Sequence, residues 1–183
     1  VDINILVMDT QCYSNTGGQQ SKATPLGAVV KYAPDGKRTD RKDLGRMAMT
    51  YGHVYVASVS LGANPAKTIE ILREAEEYPG PSLIIAYCPC INHGIRAGMS
   101  HAIVEEREAV RCGYWPLYHY NPLADPKLSV DYSVPNGNLV EFINGENRYA
   151  DLNMIDPDAA AGLQTRLADD ARELFRILKS NGE

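Results

Sequence analysis

The sequence predicts an α/β fold, a mostly parallel sheet flanked by helices. Two observations carry that prediction. Three apolar runs of strand length, at residues 3–8, 54–61 and 83–87, lack the polar alternation of a half-exposed strand. Amphipathic segments with helix start and stop signals separate and follow them. Strands and helices alternating in this rhythm favour parallel neighbours with helices laid over the faces.

The elements follow in order. "INILVMD" is apolar throughout, as expected of a strand covered on both faces. "VYVASVSLG", residues 54–62, is β-branched and aromatic and ends in glycine. "NPAKTIEILREAEEYPG" starts a helix with Asn64 as N-cap and Pro65 at the first helical position; Ile69, Leu72 and Ala75 share a face, and Pro79–Gly80 end it. "PSLIIAYCPC" is the third strand. "GMSHAIVEEREAVRCGY" reads as a helix capped by Ser100 and stopped at Gly113. "WPLYHYNP" and "KLSVDYS" are shorter strands, antiparallel partners at a sheet edge. The Pro- and Asp-rich stretch 121–137 reads as surface loop. "DPDAAAGLQTRLADDARELFRILKS" is a long amphipathic helix with Asp156 as N-cap and Pro157 at N1, and Leu163, Leu167, Leu174 and Leu178 form a face that packs back onto the body.

With 183 residues, one domain with a sizeable core is expected. A formal charge of −5 argues against a broad nucleic-acid or anionic-membrane surface, since both need a positive field. No apolar run approaches the roughly 20 residues of a membrane span, and no signal peptide is visible. The first residue is Val1 and a strand starts almost at once, so the chain reads as cut from something longer. Four cysteines, Cys12, Cys88, Cys90 and Cys112, are too few and too irregular for a secreted disulfide framework; a reducing, cytoplasmic setting is expected.

The first strand stops at Asp9 and gives way to "TQCYSNTGGQQSKAT". Ligands of open parallel sheets bind outside the carboxyl ends of the strands. Gly17 and Gly18 permit close backbone approach, with N–H groups able to face phosphate, and Thr10, Ser14 and Thr16 add neutral donors. No lysine occurs before Lys22, which excludes the Lys-bearing loop of a nucleoside triphosphatase. An anion held without lysine calls for a divalent cation, and Mg²⁺ suits oxygen donors beside phosphates. On these residues alone an ordinary polar turn stands equal to an anion site.

"DTQCYSNTGGQQSKATPLGAVVKYAPDGKRTDRKDLGRMAMTYGHVYVASVSLGA", then "YPGPSLIIAYCPCINHGIRAGM" and "CGYWPLYHYNP", closely resemble the C-terminal thiamine-diphosphate domain of pyruvate:ferredoxin (flavodoxin) oxidoreductases. The likeness runs from residue 4 to about 122 and continues more loosely through "EFINGENRYADL" to the C-terminal helix. It implies the diphosphate half of a thiamine-diphosphate fold, truncated at its N-terminus, over 1–122, with 123–183 as an extension packing on the same domain. It also implies thiamine diphosphate and Mg²⁺ as cofactors, with the Thr10 side chain and the Cys12 carbonyl as metal ligands. Ser14, Asn15, Thr16, Gly17 and Gly18 fall beside the diphosphate and the reacting end of the cofactor, with Asn15 approaching the 2-oxoacid. The family's Gly-Asp-Gly segment, which supplies a further metal-binding aspartate, lies upstream of this chain.

By the same resemblance, Cys90 in "CINHG" is one ligand of the [4Fe–4S] cluster nearest the thiamine, the other three thiolates lying outside the chain. Cys12, Cys88 and Cys112 are expected to be small hydrophobes, and Cys12 needs only its carbonyl. His93 is expected to serve structure first. The locally basic run 31–46 reads as a solvated loop and helix start. The function implied is part of an enzyme that oxidatively decarboxylates pyruvate to acetyl-coenzyme A and CO₂. Electrons pass through [4Fe–4S] clusters to ferredoxin or flavodoxin, in a homodimer with further domains. The alternatives are an oxidoreductase for another 2-oxoacid or a non-catalytic α/β phosphate-binding module.

Overall fold

The first apolar run forms β1, Ile3–Asp9, in the computed structural model, which describes residues 1–182. There follow α1, Leu44–Met49; β2, Tyr55–Val59; α2, Pro65–Glu77; and β3, Pro81–Tyr87. Two short 3₁₀ turns, Ile91–His93 and Met99–His101, precede α3, Ala102–Arg111. The chain continues through β4, Tyr118–Tyr120; β5, Leu128–Val130; α4, Leu139–Asn144; α5, Asn147–Ile155; and α6, Pro157–Gly182.

The five strands form one sheet in the order β1-β3-β2-β4-β5. β1, β3 and β2 are parallel, in a register that sets Asp9 opposite Tyr87 and Val59 opposite Ala86. β4 runs antiparallel to β2, and β5 antiparallel to β4, the edge arrangement expected of the two short strands. The sheet is mostly parallel with helices around it, as the sequence predicts.

β1 departs from expectation. It is an edge strand, with Ile3, Ile5, Leu6 and Met8 about half exposed on both of its faces. Apolar content alone does not reveal whether a strand has two neighbours or one. β2, by contrast, is buried at every residue.

α2 begins as predicted: the Asn64 side chain accepts from the Lys67 N–H at 3.0 Å, and Pro65 occupies its first turn. Its buried face is Thr68, Ile71 and Ala75, whereas Ile69 and Leu72 face outward. Positions i, i+3 and i+7 lie on one stripe, so the helix buries a hydroxyl and leaves two larger aliphatic side chains outside. The Thr68 hydroxyl is satisfied within the helix, donating to the Asn64 carbonyl at 2.9 Å. Ile71 and Ala75 join Tyr55, Ala57, Val59, Tyr78 and Ile84 in one cluster, and burial of Ile71 contributes about 1.5–3 kcal/mol.

α3 starts at Ala102 after a 3₁₀ turn. Ser100 therefore does not cap it; His101 holds that position without a side-chain bond to the helix. Gly113, at φ +81°, ends it as expected. α6 is capped by Asp156, whose carboxylate accepts from the Ala159 N–H at 3.0 Å. Leu178 joins Ala48, Val56, Tyr118 and Leu128, while Ala168, Leu167 and Ala171 pack with Trp115, Ile143 and Tyr149, so α6 and the sheet share their cores. No helix among the described residues is long and apolar enough to cross a membrane.

Because β1, β3 and β2 are parallel, the chain leaves β1 at Thr10 and β3 at Cys88 on the same side of the sheet. The Cys88 N–H donates to the Asp9 carbonyl at 3.1 Å, joining the two exits.

Candidate functional site

The loop after β1 is organised by Gln11. Its φ is +59°, a left-handed conformation that costs a side-chain-bearing residue roughly 1–2 kcal/mol. Its neighbours offset this: its N–H donates to the Asp9 carboxylate at 2.9 Å, and its carbonyl accepts from the Thr24 hydroxyl at 2.7 Å. The sharp turn folds residue 12 back on residue 10, so that the Thr10 hydroxyl donates to the Cys12 carbonyl at 3.0 Å. The two oxygens assigned to a metal by the sequence resemblance are thus side by side.

Beyond them the chain closes on itself. The Tyr13 N–H donates to the Gln19 carbonyl at 3.0 Å, and the Gln19 side-chain amide donates to the Thr16 carbonyl at 2.7 Å. The Gly17 N–H donates to the Ser14 carbonyl at 3.2 Å, and the Gly18 N–H to the Tyr13 carbonyl at 2.9 Å. The N–H groups of Gly17 and Gly18 are therefore not free to meet phosphate, contrary to expectation. Their role is conformational: φ is +110° and +81°, and a Cβ on Gly18 would lie 2.7 Å from Asn92 Oδ1. The N–H groups of Ser14, Asn15 and Thr16 have no hydrogen-bond partner among the described residues, and Asn15 and Thr16 are exposed. These donors are available to a ligand.

The second loop supplies Cys90. Its N–H donates to His93 Nδ1 at 3.0 Å, its sulfur lies 3.3 Å from the same nitrogen, and its carbonyl accepts from the His93 N–H at 3.0 Å. His93 is fully buried, edge-on to Tyr87 with ring centroids 6.0 Å apart. The Asn92 amide crosses to the first loop and donates to the Ser14 carbonyl at 3.2 Å. The neighbouring Cys12 thiol, with His93 and Ser14, holds Cys90 well below the usual thiol range despite burial, while Cys90 and burial push Cys12 up. Burial pushes Cys88 up as well. The Cys12 side chain, to which the sequence gives no task, is thus a neighbour of Cys90. Cys112 lies elsewhere, in the core at the end of α3, pushed up to about 11 by burial.

Beneath both loops runs a buried polar network that sequence reasoning missed. Gln11 Oε1 accepts from the Tyr114 hydroxyl and from Arg148 Nη2, each at 2.8 Å. Arg148 Nε donates to Glu146 at 2.5 Å, with both side chains essentially inaccessible. Tyr87 donates to the other Glu146 oxygen at 3.4 Å. A buried Arg–Glu pair two residues apart does not follow helical-neighbour spacing, and no local signal joins it to Gln11.

Among the described residues no group of three or more His, Cys, Asp or Glu side chains is placed to hold a metal ion. What the loops offer is two adjacent neutral oxygens and a thiolate-prone cysteine. A cavity of about 570 Å³ lies along the sheet between Arg41, Trp115, Tyr118 and Leu174; Asp9 and Tyr13 reach it, but Thr10, Cys12, Asn15 and Cys90 do not line it.

A parallel sheet carrying such loops at its carboxyl ends suits a ligand held outside the strand ends. Residues 1–86, just under half of the chain, match the family described as thiamine pyrophosphate enzyme, C-terminal TPP binding domain. Similarity to individual proteins extends further. The chain is 49% identical over 178 residues to a pyruvate-flavodoxin oxidoreductase of Klebsiella pneumoniae, covering 95% of this chain and 15% of that protein. It is 51% identical over 186 residues to a pyruvate:ferredoxin oxidoreductase of Moorella thermoacetica, covering all of this chain and 16% of that one. It is 46% identical over 182 residues to a mitochondrial pyruvate dehydrogenase [NADP(+)] of Euglena gracilis, covering 95% of this chain and 10% of that protein. The chain therefore spans a sixth or less of the length of these relatives.

Proposed function

We propose that this chain is the C-terminal part of a pyruvate:ferredoxin (flavodoxin) oxidoreductase, supplying part of a Mg²⁺–thiamine diphosphate site and one ligand of a [4Fe–4S] cluster. The observation that carries the reading is the 3.0 Å approach of Thr10 Oγ1 to the Cys12 carbonyl at the sheet end that also presents Cys90. Octahedral Mg²⁺ with ligands at 2.0–2.1 Å sets neighbouring oxygens about 2.9 Å apart, so the pair fits one edge of its coordination shell. Neither oxygen is charged, which leaves room for the diphosphate and a ligand from the remainder of the enzyme to balance the cation.

In this reading Thr10 and Cys12 hold the metal. The N–H groups of Ser14, Asn15 and Thr16 face the diphosphate, and the Asn15 side chain faces the 2-oxoacid. Gly17 and Gly18 give the loop its turn and its close approach to Asn92. When bound, thiamine diphosphate would stabilise the carbanion left as a 2-oxoacid loses CO₂. Cys90 binds the cluster as a thiolate; three further thiolates complete the usual four. Coenzyme A accepts the acetyl group, ferredoxin or flavodoxin accepts the electrons, and the enzyme is a cytoplasmic homodimer. Residues 1–122 form the cofactor-binding part and 123–183 its packed extension.

The test is cofactor titration of the complete polypeptide. Thr10→Val swaps a ligand oxygen for a methyl group and is expected to weaken Mg²⁺-dependent thiamine diphosphate binding at least tenfold, since a metal ligand is worth no less than its supporting hydrogen bonds. Cys12→Ala keeps the carbonyl and is expected to change it far less. Equal losses in the two variants contradict the assignment.

A further inference from the structure

Gln11 and Tyr32 are the described non-glycine residues with positive φ. Tyr32 lies exposed, whereas Gln11 is 1% exposed and sits between the two oxygens assigned to the metal. A strained backbone persists only where its surroundings over-determine it. Three of the four polar groups of Gln11 are bonded, and its Oε1 accepts two hydrogen bonds, the full use of its two lone pairs. Only its Nε2 is buried without a partner.

The far end of that network is itself anchored. Arg148 is gripped by Glu146, lies over the Tyr149 ring at 5.1 Å and donates to the Tyr114 hydroxyl at 3.0 Å. The segment bearing it also holds the Cys90 loop: the Asn147 N–H donates to the Gly94 carbonyl and the Arg96 N–H to the Gly145 carbonyl, both at 2.9 Å. One buried stretch of chain thus fixes both loops at the sheet end.

We propose that Gln11, Tyr114 and Arg148 are positioning residues that hold the left-handed turn at Gln11 and thereby set the Cys12 carbonyl beside the Thr10 hydroxyl as a preformed metal edge. They touch neither metal nor substrate; they act through the backbone of residues 11 and 12. The inference rests on the reading of Thr10 and Cys12 as metal ligands. Freed from its acceptor bonds, Gln11 relaxes toward negative φ, and the two oxygens separate.

The experiment measures the Mg²⁺ concentration that half-saturates thiamine diphosphate binding, by calorimetry on the complete polypeptide, together with the thermal midpoint without cofactor. Gln11→Met keeps the bulk and removes the acceptor; it is expected to raise half-saturating Mg²⁺ about tenfold or more. Tyr114→Phe, which removes one hydroxyl, raises it less, and the double variant loses no more than Gln11→Met alone because both act on one turn. Gln11→Glu restores an acceptor for Arg148 and recovers most of the affinity. Thr10→Val separates the two readings. If it weakens Mg²⁺ binding while Gln11→Met and Tyr114→Phe lower only the thermal midpoint, the positioning role is overturned and the ligand assignment stands. If Thr10→Val has no effect, the ligand assignment fails and the positioning role falls with it. Should Gln11→Met not fold, Tyr114→Phe decides.

Discussion

Glu146 is buried and Glu105 partly buried, and the two carboxyl groups are not equivalent. Glu146 is bonded by Arg148, whereas Glu105 has one buried oxygen without a partner. Burial, and then the charge and hydrogen bond of Glu146, push Glu105 up from 4.5 to about 8; Arg148 opposes this and Glu108 adds to it. A group whose folded value is raised holds its proton more tightly in the native state. Its stabilising contribution is complete below 4.5 and is lost as pH rises through about 8. The thermal midpoint is therefore expected to fall between these values, and Glu105→Gln, which cannot ionise, should flatten the decline. Equal slopes in the two proteins would show that Glu105 is not the group that titrates.

Elements differ in how far their own sequence determines them. The three parallel strands and the caps Asn64 and Asp156 are legible because their signals are local: an apolar run, or a side-chain oxygen next to the first helical turn. The facing of α2 is not, since Ile69 and Leu72 make as good a stripe on paper as Thr68 and Ile71, and only the docked sheet chooses between them. Nor is the edge position of β1, which depends on a neighbour rather than on its residues. That position has a consequence. An unpaired edge bearing half-exposed Ile3, Ile5, Leu6 and Met8 is a template for pairing with another chain. The isolated 183-residue chain is expected to self-associate at concentrations on the order of 10 μM. Leu6→Lys with Met8→Lys, side chains on one face of the strand, should suppress this in sedimentation velocity. A parent chain that stays monomeric at that concentration contradicts the expectation.

At the scale of the molecule, the sheet brings together residues that sequence leaves far apart. The strand ends were readable, and with them the meeting of the Thr10 and Cys90 loops, because parallel strands must exit on one side. The support beneath was not: Gln11 and Arg148 are separated by 137 positions, and neither lies in a pattern that announces the other. The influence of the Cys12 thiol on Cys90 was hidden for the same reason. The central claim, that these two loops form one redox-cofactor site, is tested most directly by the iron content and electron paramagnetic resonance of the reduced complete polypeptide carrying Cys90→Ala, beside Cys88→Ala and Cys112→Ala. Loss of a thiolate ligand removes a soft donor from one iron. Cys90→Ala is expected to lose one [4Fe–4S] signal while the other two variants keep all their iron. Retention of every cluster in Cys90→Ala, with a loss in Cys88→Ala, would contradict it.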